Sequence, residues 1–138
     1  MVLPRIGRLT ALSCAVVVVL GLPAVARADD GGDSSSDVRV ETSCGANSTA
    51  RLRVRGRDDD QLRVEVDVRT PLRGSSWSVV LVHERRLVLR ARARTSSSSG
   101  SFSLRRTIPD WPGRDTVTVR ATGPRGETCR ATATMDGS

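Results

Sequence analysis

The sequence contains no lysine and no tyrosine, a single histidine, and only Trp77, Phe102 and Trp111 as large aromatic residues. So few rings leave little surface on which bases or sugars could stack, which works against nucleic-acid and glycan recognition built on aromatic platforms. No specific nucleic-acid motif is present. With one imidazole in the chain there is no His-rich metal spacing, and a Ser-His-acid site would have one candidate base. That residue, His83, closes an alternating run beside Glu84 and Arg85 and reads as a solvated surface group. Ser96 to Ser99 form a low-complexity loop, unlike the strained turn that presents a nucleophilic serine. The expectation is a non-catalytic protein with no catalytic residue, no cofactor and no metal.

What is present fits one globular domain: 138 residues, 38% hydrophobic and 27% charged, with a formal net charge of +7. All 22 basic residues are arginine, a bias that reads as codon usage in a high-GC genome before it reads as guanidinium chemistry.

Residues 1–28 have the layout of an export leader. Arg5 and Arg8 precede an apolar stretch from Leu9 to about Leu22, and Ala26-Arg27-Ala28 supplies a small-x-small cleavage site. An uncleaved membrane anchor is the alternative, with Pro23 and the Ala-x-Ala pattern favouring cleavage. Residues 29–36, Asp-Asp-Gly-Gly-Asp-Ser-Ser-Ser, have no apolar side chain to bury and form a flexible acidic lead-in to a domain over 37–138. Localisation is therefore secreted, in the cell envelope or outside the cell. Once the leader is removed only Cys44 and Cys129 remain, and an even pair in an oxidising compartment is expected to form a disulfide.

Beyond residue 37, apolar and polar residues alternate with period two in short runs separated by turn signals, and no stretch sustains a helical period. Val38 and Val40 open a strand ending at Cys44. Ala50, Leu52 and Val54 face Val68, Val66 and Val64 if Arg57 pairs with Gln61 around Asp58-Asp59-Asp60; Arg51 then meets Asp67 and Arg53 meets Glu65 outside. A one-residue slip would expose every valine, so this register is strongly specified. The next hairpin pairs Leu81 with Leu89, Val79 with Ala91 and Trp77 with Ala93, joined at Glu84-Arg85-Arg86. A strand with Phe102 and Leu104 inward ends near Ile108, and Pro109 to Gly113 forms a corner. The final hairpin sets Val117, Val119 and Ala121 against Ala133, Ala131 and Cys129.

This order of hairpins and crossing loops resembles an immunoglobulin-like sandwich of the fibronectin type III kind over Thr49 to Met135, with Trp77 where such folds bury a tryptophan on the third strand. Asp115-Thr116-Val117-Thr118-Val119 is similar to the start of the sixth strand, with Val119 in place of a corner tyrosine. The chain also resembles small exported proteins of high-GC bacteria. The resemblance implies an all-β antiparallel sandwich of seven to eight strands and brings no activity with it.

Several surface features are candidate sites. Arg51, Arg53, Arg55 and Arg57 recur on one strand face at about 6.7 Å, near the charge spacing of an extended polyanion, so an anionic envelope polymer is one candidate partner. The opposing reading is a solvated, cross-paired face, because Glu65 and Asp67 lie across and Arg90, Arg92 and Arg94 fall on the other sheet. Val80, Val82 and Val88 form an apolar group on a face expected to meet water, either covered by the N-terminal strand or marking an interface with an unknown protein. Asp58-Asp59-Asp60 could hold a hard cation but lacks the glycine and distal glutamate of a calcium loop. Trp111 reads as a plug at one end of the sandwich, and Asn47-Ser48-Thr49 matches a glycosylation acceptor. Inhibition of a secreted protease would need a rigid exposed loop, for which Arg94 to Gly100 and Gly123 to Gly126 are the candidates.

Overall fold

A computed structural model describes residues 36–136, so the expected leader and all of the lead-in except Ser36 lie outside the described residues. Eight strands follow one another without a helix among them: β1 (Asp37–Gly45), β2 (Ser48–Arg57), β3 (Gln61–Arg69), β4 (Ser76–His83), β5 (Arg86–Arg94), β6 (Ser101–Pro109), β7 (Arg114–Thr122) and β8 (Thr128–Asp136). They form two four-stranded antiparallel sheets, ordered β1-β2-β3-β6 and β5-β4-β7-β8. The chain changes sheet between β3 and β4, between β5 and β6, and between β6 and β7.

Side-chain alternation dictates this layering, because each strand has one apolar row that must leave water. Ala50, Leu52, Val54, Leu62, Val64, Val66 and Val68 supply the first sheet's inner face; Trp77, Val79, Leu81, Val117, Val119, Ala121, Ala131 and Ala133 supply the second's. The β2–β3 register is the one the sequence specifies: Val54 faces Val64, Leu52 faces Val66, and Arg53 faces Glu65. Trp77 over Ala93, Val79 over Ala91 and Val117 over Ala133 also match expectation. Large residues facing small ones let the two layers interdigitate. Phe102 and Leu104 pack on the core from the edge strand β6 while remaining half-buried.

Cys44 on β1 and Cys129 on β8 form a disulfide. Those strands are edges of different sheets, so the bridge joins the layers along one side of the sandwich. Both cysteines are buried, which is compatible with an extracellular location.

At one end of the core the Trp77 indole N–H donates to Ser75 Oγ at 3.0 Å, and the Ser75 amide donates to Thr95 Oγ1 at 2.8 Å. Gly123 lies against the same indole: a Cβ there would sit 2.8 Å from Trp77 Cζ2, which only a residue without a side chain avoids.

The β4–β5 connection departs from the three-residue joint expected from the sequence. Glu84 and Arg85 alone make the turn, with φ of 46° and 66°, the left-handed pair that a two-residue hairpin turn requires. The shorter turn is reconciled with the Leu81–Leu89 pair by a bulge, after which Val82 faces Leu87 rather than Val88.

Candidate functional site

The two outer faces differ in how their arginines are partnered. On β1-β2-β3-β6, Arg51, Arg53, Arg55 and Arg57 do share one strand face, but each of the first three has an acid opposite it on at least one neighbouring strand: Arg51 on both, Arg53 on β3 alone and Arg55 on β1 alone, where Arg63 is its β3 partner. Across β1, Arg53 faces Arg39, Arg55 faces Asp37 and Arg51 faces Glu41. Across β3, Arg51 faces Asp67 and Arg53 faces Glu65. The contacts follow: Arg53 donates to Asp37 at 2.6 Å, Arg39 donates to Asp37 at 3.0 Å, and Arg51 approaches Glu41 at 3.7 Å. Arg105 on β6 donates to Glu65 at 2.7 Å, and Ser103 Oγ donates to Asp67. The Arg53 guanidinium, helped by Arg39, holds the Asp37 carboxyl down at about 2. Arg105 likewise keeps Glu65 below its ordinary value. Arg57, at the turn, faces Gln61. The stripe that looked like a polyanion track is thus interleaved with carboxylates that compete for the same guanidiniums.

The outer face of β5-β4-β7-β8 is organised differently. Arg90, Arg92 and Arg94 alternate along β5, facing Val80, Ser78 and Ser76 of β4. One row continues through Val80 to Arg120 on β7 and Arg130 on β8, and the last two are register partners. Like charges directly opposite destabilise a sheet by a few tenths of a kcal/mol or more. Among the described residues, none of these five arginines makes an ion pair. The neighbouring rows carry hydroxyls: Thr122 and Thr128 on one side, Thr118 and Thr132 on the other. A shallow depression of about 380 Å³ is lined by Val82, Glu84, Arg85, Thr116, Thr118 and Arg130. The Glu84 carboxylate there is engaged, accepting the Thr116 amide.

The apolar group expected at Val80, Val82 and Val88 is split. Val80 and Val82 stay half-buried on this outer face, whereas Val88, displaced by the bulge, packs against the core and Leu87 takes the exposed place opposite Val82. Nor does the N-terminal strand cover them, since β1 lies at the edge of the other sheet and packs on β2 and β8.

His83 is the clearest correction. It is fully buried, with Nε2 2.5 Å from Asp115 Oδ1, and its ring stacks on Trp111 with centroids 4.3 Å apart. Arg86 also lies over that indole, 5.2 Å from the ring centroid. Trp111 therefore plugs this end of the sandwich as expected, and it does so by closing over the histidine. Inward orientation at the end of β4, with the partner acid 32 residues away, is what local sequence could not reveal. Asp110 sits beside Asp115, whose carboxylate, together with burial and the nearby Asp60, raises the Asp110 pKa above its ordinary value. Asp115 Oδ2 and His83 Nδ1 are buried without a hydrogen-bond partner among the described residues. The His83 and Asp115 side chains of the cluster are buried.

The remaining candidates are placed as follows. Asp58-Asp59-Asp60 forms the β2–β3 turn, where Asp59 and Asp60 have positive φ and the Asp60 carbonyl accepts the Asp110 amide. No cluster of metal-ligand type is found among the described residues. In Asn47-Ser48-Thr49, Asn47 is an exposed turn residue and Ser48 is buried, bonded to Thr70 at 2.9 Å. The Arg94–Gly100 loop is pinned by Thr95 to Ser75 and by Gly100, whose carbonyl accepts the Thr70 amide. In the Gly123–Gly126 loop, buried Glu127 accepts the Arg125 amide at 2.8 Å. No family model matches the chain, and neither a curated protein nor a solved structure matches it.

Proposed function

We propose that the chain is an exported, non-catalytic binding module with an immunoglobulin-like sandwich of the fibronectin type III kind. With β1 set aside as an added edge strand, seven strands divide as β2-β3-β6 against β5-β4-β7-β8. The third of the seven, β4, carries the buried Trp77 and pairs with the sixth, β7. That placement is the observation supporting the fold type. Export is supported by the buried pair Cys44–Cys129 together with the apolar leader. Binding rather than catalysis is supported by His83, the one imidazole, being sealed under Trp111, while the large polar faces are exposed.

Intact-mass analysis of the native product tests the reading. The expected result is a chain beginning after Ala28 with a closed disulfide. A retained leader with both thiols free would overturn it.

A further inference from the structure

We propose that the outer face of β5-β4-β7-β8 binds a flexible phosphodiester-linked polyol chain through Arg90, Arg92, Arg94, Arg120 and Arg130. The proposal deepens the binding-module reading by naming a ligand class, and it assigns recognition to the sheet opposite the Arg51–Arg57 stripe.

The argument starts from charge segregation. Four acids, Asp37, Glu41, Glu65 and Asp67, interleave with the arginines of the first sheet, whereas no carboxylate stands in the rows holding these five. The first sheet also has opposed arginines, Arg39 with Arg53 and Arg55 with Arg63, but each of those rows contains an acid, Glu65 in one and Asp37 in the other, which the row of Arg120 and Arg130 lacks. Here Arg120 faces Arg130 with no carboxylate in the row, and an external anion is what relieves the repulsion. All five are exposed, so their guanidiniums reach a ligand without rearrangement of the core.

Spacing and neighbours select the ligand. Alternate residues on β5 stand about 6.7 Å apart. Six single bonds, the repeat of a three-carbon polyol phosphate, span roughly 7 Å extended, twice the three-bond rise of a peptide residue. One phosphodiester per arginine is therefore sterically matched along Arg90, Arg92 and Arg94. Arg120 and Arg130 take a further charge where the chain turns across the sheet. The flanking Ser78, Thr118, Thr122, Thr128 and Thr132 offer donors and acceptors to polyol hydroxyls. A nucleic acid has the same phosphates but also needs stacking surfaces for its bases. None is available on this face: Trp77 is buried, Trp111 is stacked on His83 at the end of the core, and Phe102 belongs to the other sheet.

The test uses the oxidised chain and immobilised poly(glycerol phosphate), with poly(galacturonate), single-stranded DNA and phosphatidylglycerol vesicles in parallel. Poly(glycerol phosphate) should bind tightest, and its affinity should fall roughly 130-fold between 50 and 200 mM salt if about five charges are neutralised on a single-stranded polyanion. Arg120→Gln with Arg130→Gln should weaken binding about tenfold and flatten that salt dependence. Arg51→Gln with Arg105→Gln removes the same charge from the other face and should change affinity less than twofold. Equal losses from the two double variants would overturn the proposal, since generic basicity predicts them. Tighter binding to DNA, to vesicles or to the polycarboxylate would overturn the ligand assignment. Because the substituted residues are exposed, the thermal unfolding midpoint should be unchanged or raised for Arg120→Gln with Arg130→Gln, and lowered by no more than a few degrees for Arg51→Gln with Arg105→Gln, which gives up the surface pairs to Glu41 and Glu65. Failure of all four ligands to bind would refute this inference and leave the mass-based test of export untouched.

Discussion

Cys44→Ala combined with Cys129→Ala should cost most of the stability of the fold. The bridge spans a sequence separation of 85, and the chain-entropy relation then gives about 4.6 kcal/mol at 25 °C. A domain of some hundred residues has about 5–15 kcal/mol in total, so the loss leaves a marginal protein. The structure adds a second component. Cys44 and Cys129 lie on the edge strands of different sheets, and without the bridge those edges are held together only by β1 packing on β8. Urea titration followed by tryptophan fluorescence should show a loss of about 3–5 kcal/mol. The slope with denaturant should steepen, because the unbridged denatured chain exposes more surface. A loss below about 1 kcal/mol with an unchanged slope would refute the reasoning, showing the layers to be held by packing alone.

Other outcomes follow from the buried network and the surface pairs. Asp115→Ala strands the His83 imidazole without an acceptor and should cost about 3–5 kcal/mol, whereas Asp115→Asn keeps one acceptor and should cost about 1–3 kcal/mol, both by urea midpoints. Asp110 has a folded pKa raised above its unfolded value by Asp115, burial and Asp60, so its contribution is fully present below about pH 4 and fades as pH rises through the folded value. Asp110→Asn should therefore stabilise at pH 7 relative to its effect at pH 3, and the reverse order would contradict the crowding of Asp110 by Asp115 and Asp60. Asp37 behaves oppositely. Its pKa is lowered to about 2 by Arg53, so its contribution is present above about pH 4 and lost as pH falls towards 2. Asp37→Asn should destabilise at pH 7 by no more than about 1 kcal/mol, given solvent screening, and leave stability at pH 2 unchanged. Gly123→Ala drives a methyl against Trp77 Cζ2 and the Glu127 carboxylate and should lower the thermal midpoint by several degrees, at about 1–3 kcal/mol.

Much of the architecture was legible because two constraints coincide in several strands. In β2 and β3, a single register satisfies both the valine row inside and the Arg–acid row outside, so local alternation determines the pairing. The β4–β5 turn lacked such a signal. Glu84 and Arg85 take left-handed conformations usually reserved for Gly and Asn, so the two-residue turn, the bulge and the inward displacement of Val88 were hidden. The placement of His83 is hidden for a related reason: a polar residue at a strand end reads as solvated until a distant acid and indole are known to enclose it. The contrast between the two outer faces required the sheet order, which decides which arginines meet carboxylates. Period-two patterns place residues in or out and say nothing of which strand lies beside which.

Strand β4 also separates the two indoles of the molecule. Trp77 near its start is enclosed beside Ser75, whereas His83 at its end carries Trp111 on its ring, some 20 Å further along an extended backbone. The chain thus contains two native optical probes on opposite ends of one core, the first emitting from an apolar cage and the second quenched or released by the imidazole it covers. Fraying that starts at the Pro109–Gly113 corner would brighten or shift the second emission before the first changes, so steady-state spectra alone can tell which end of the sandwich opens first.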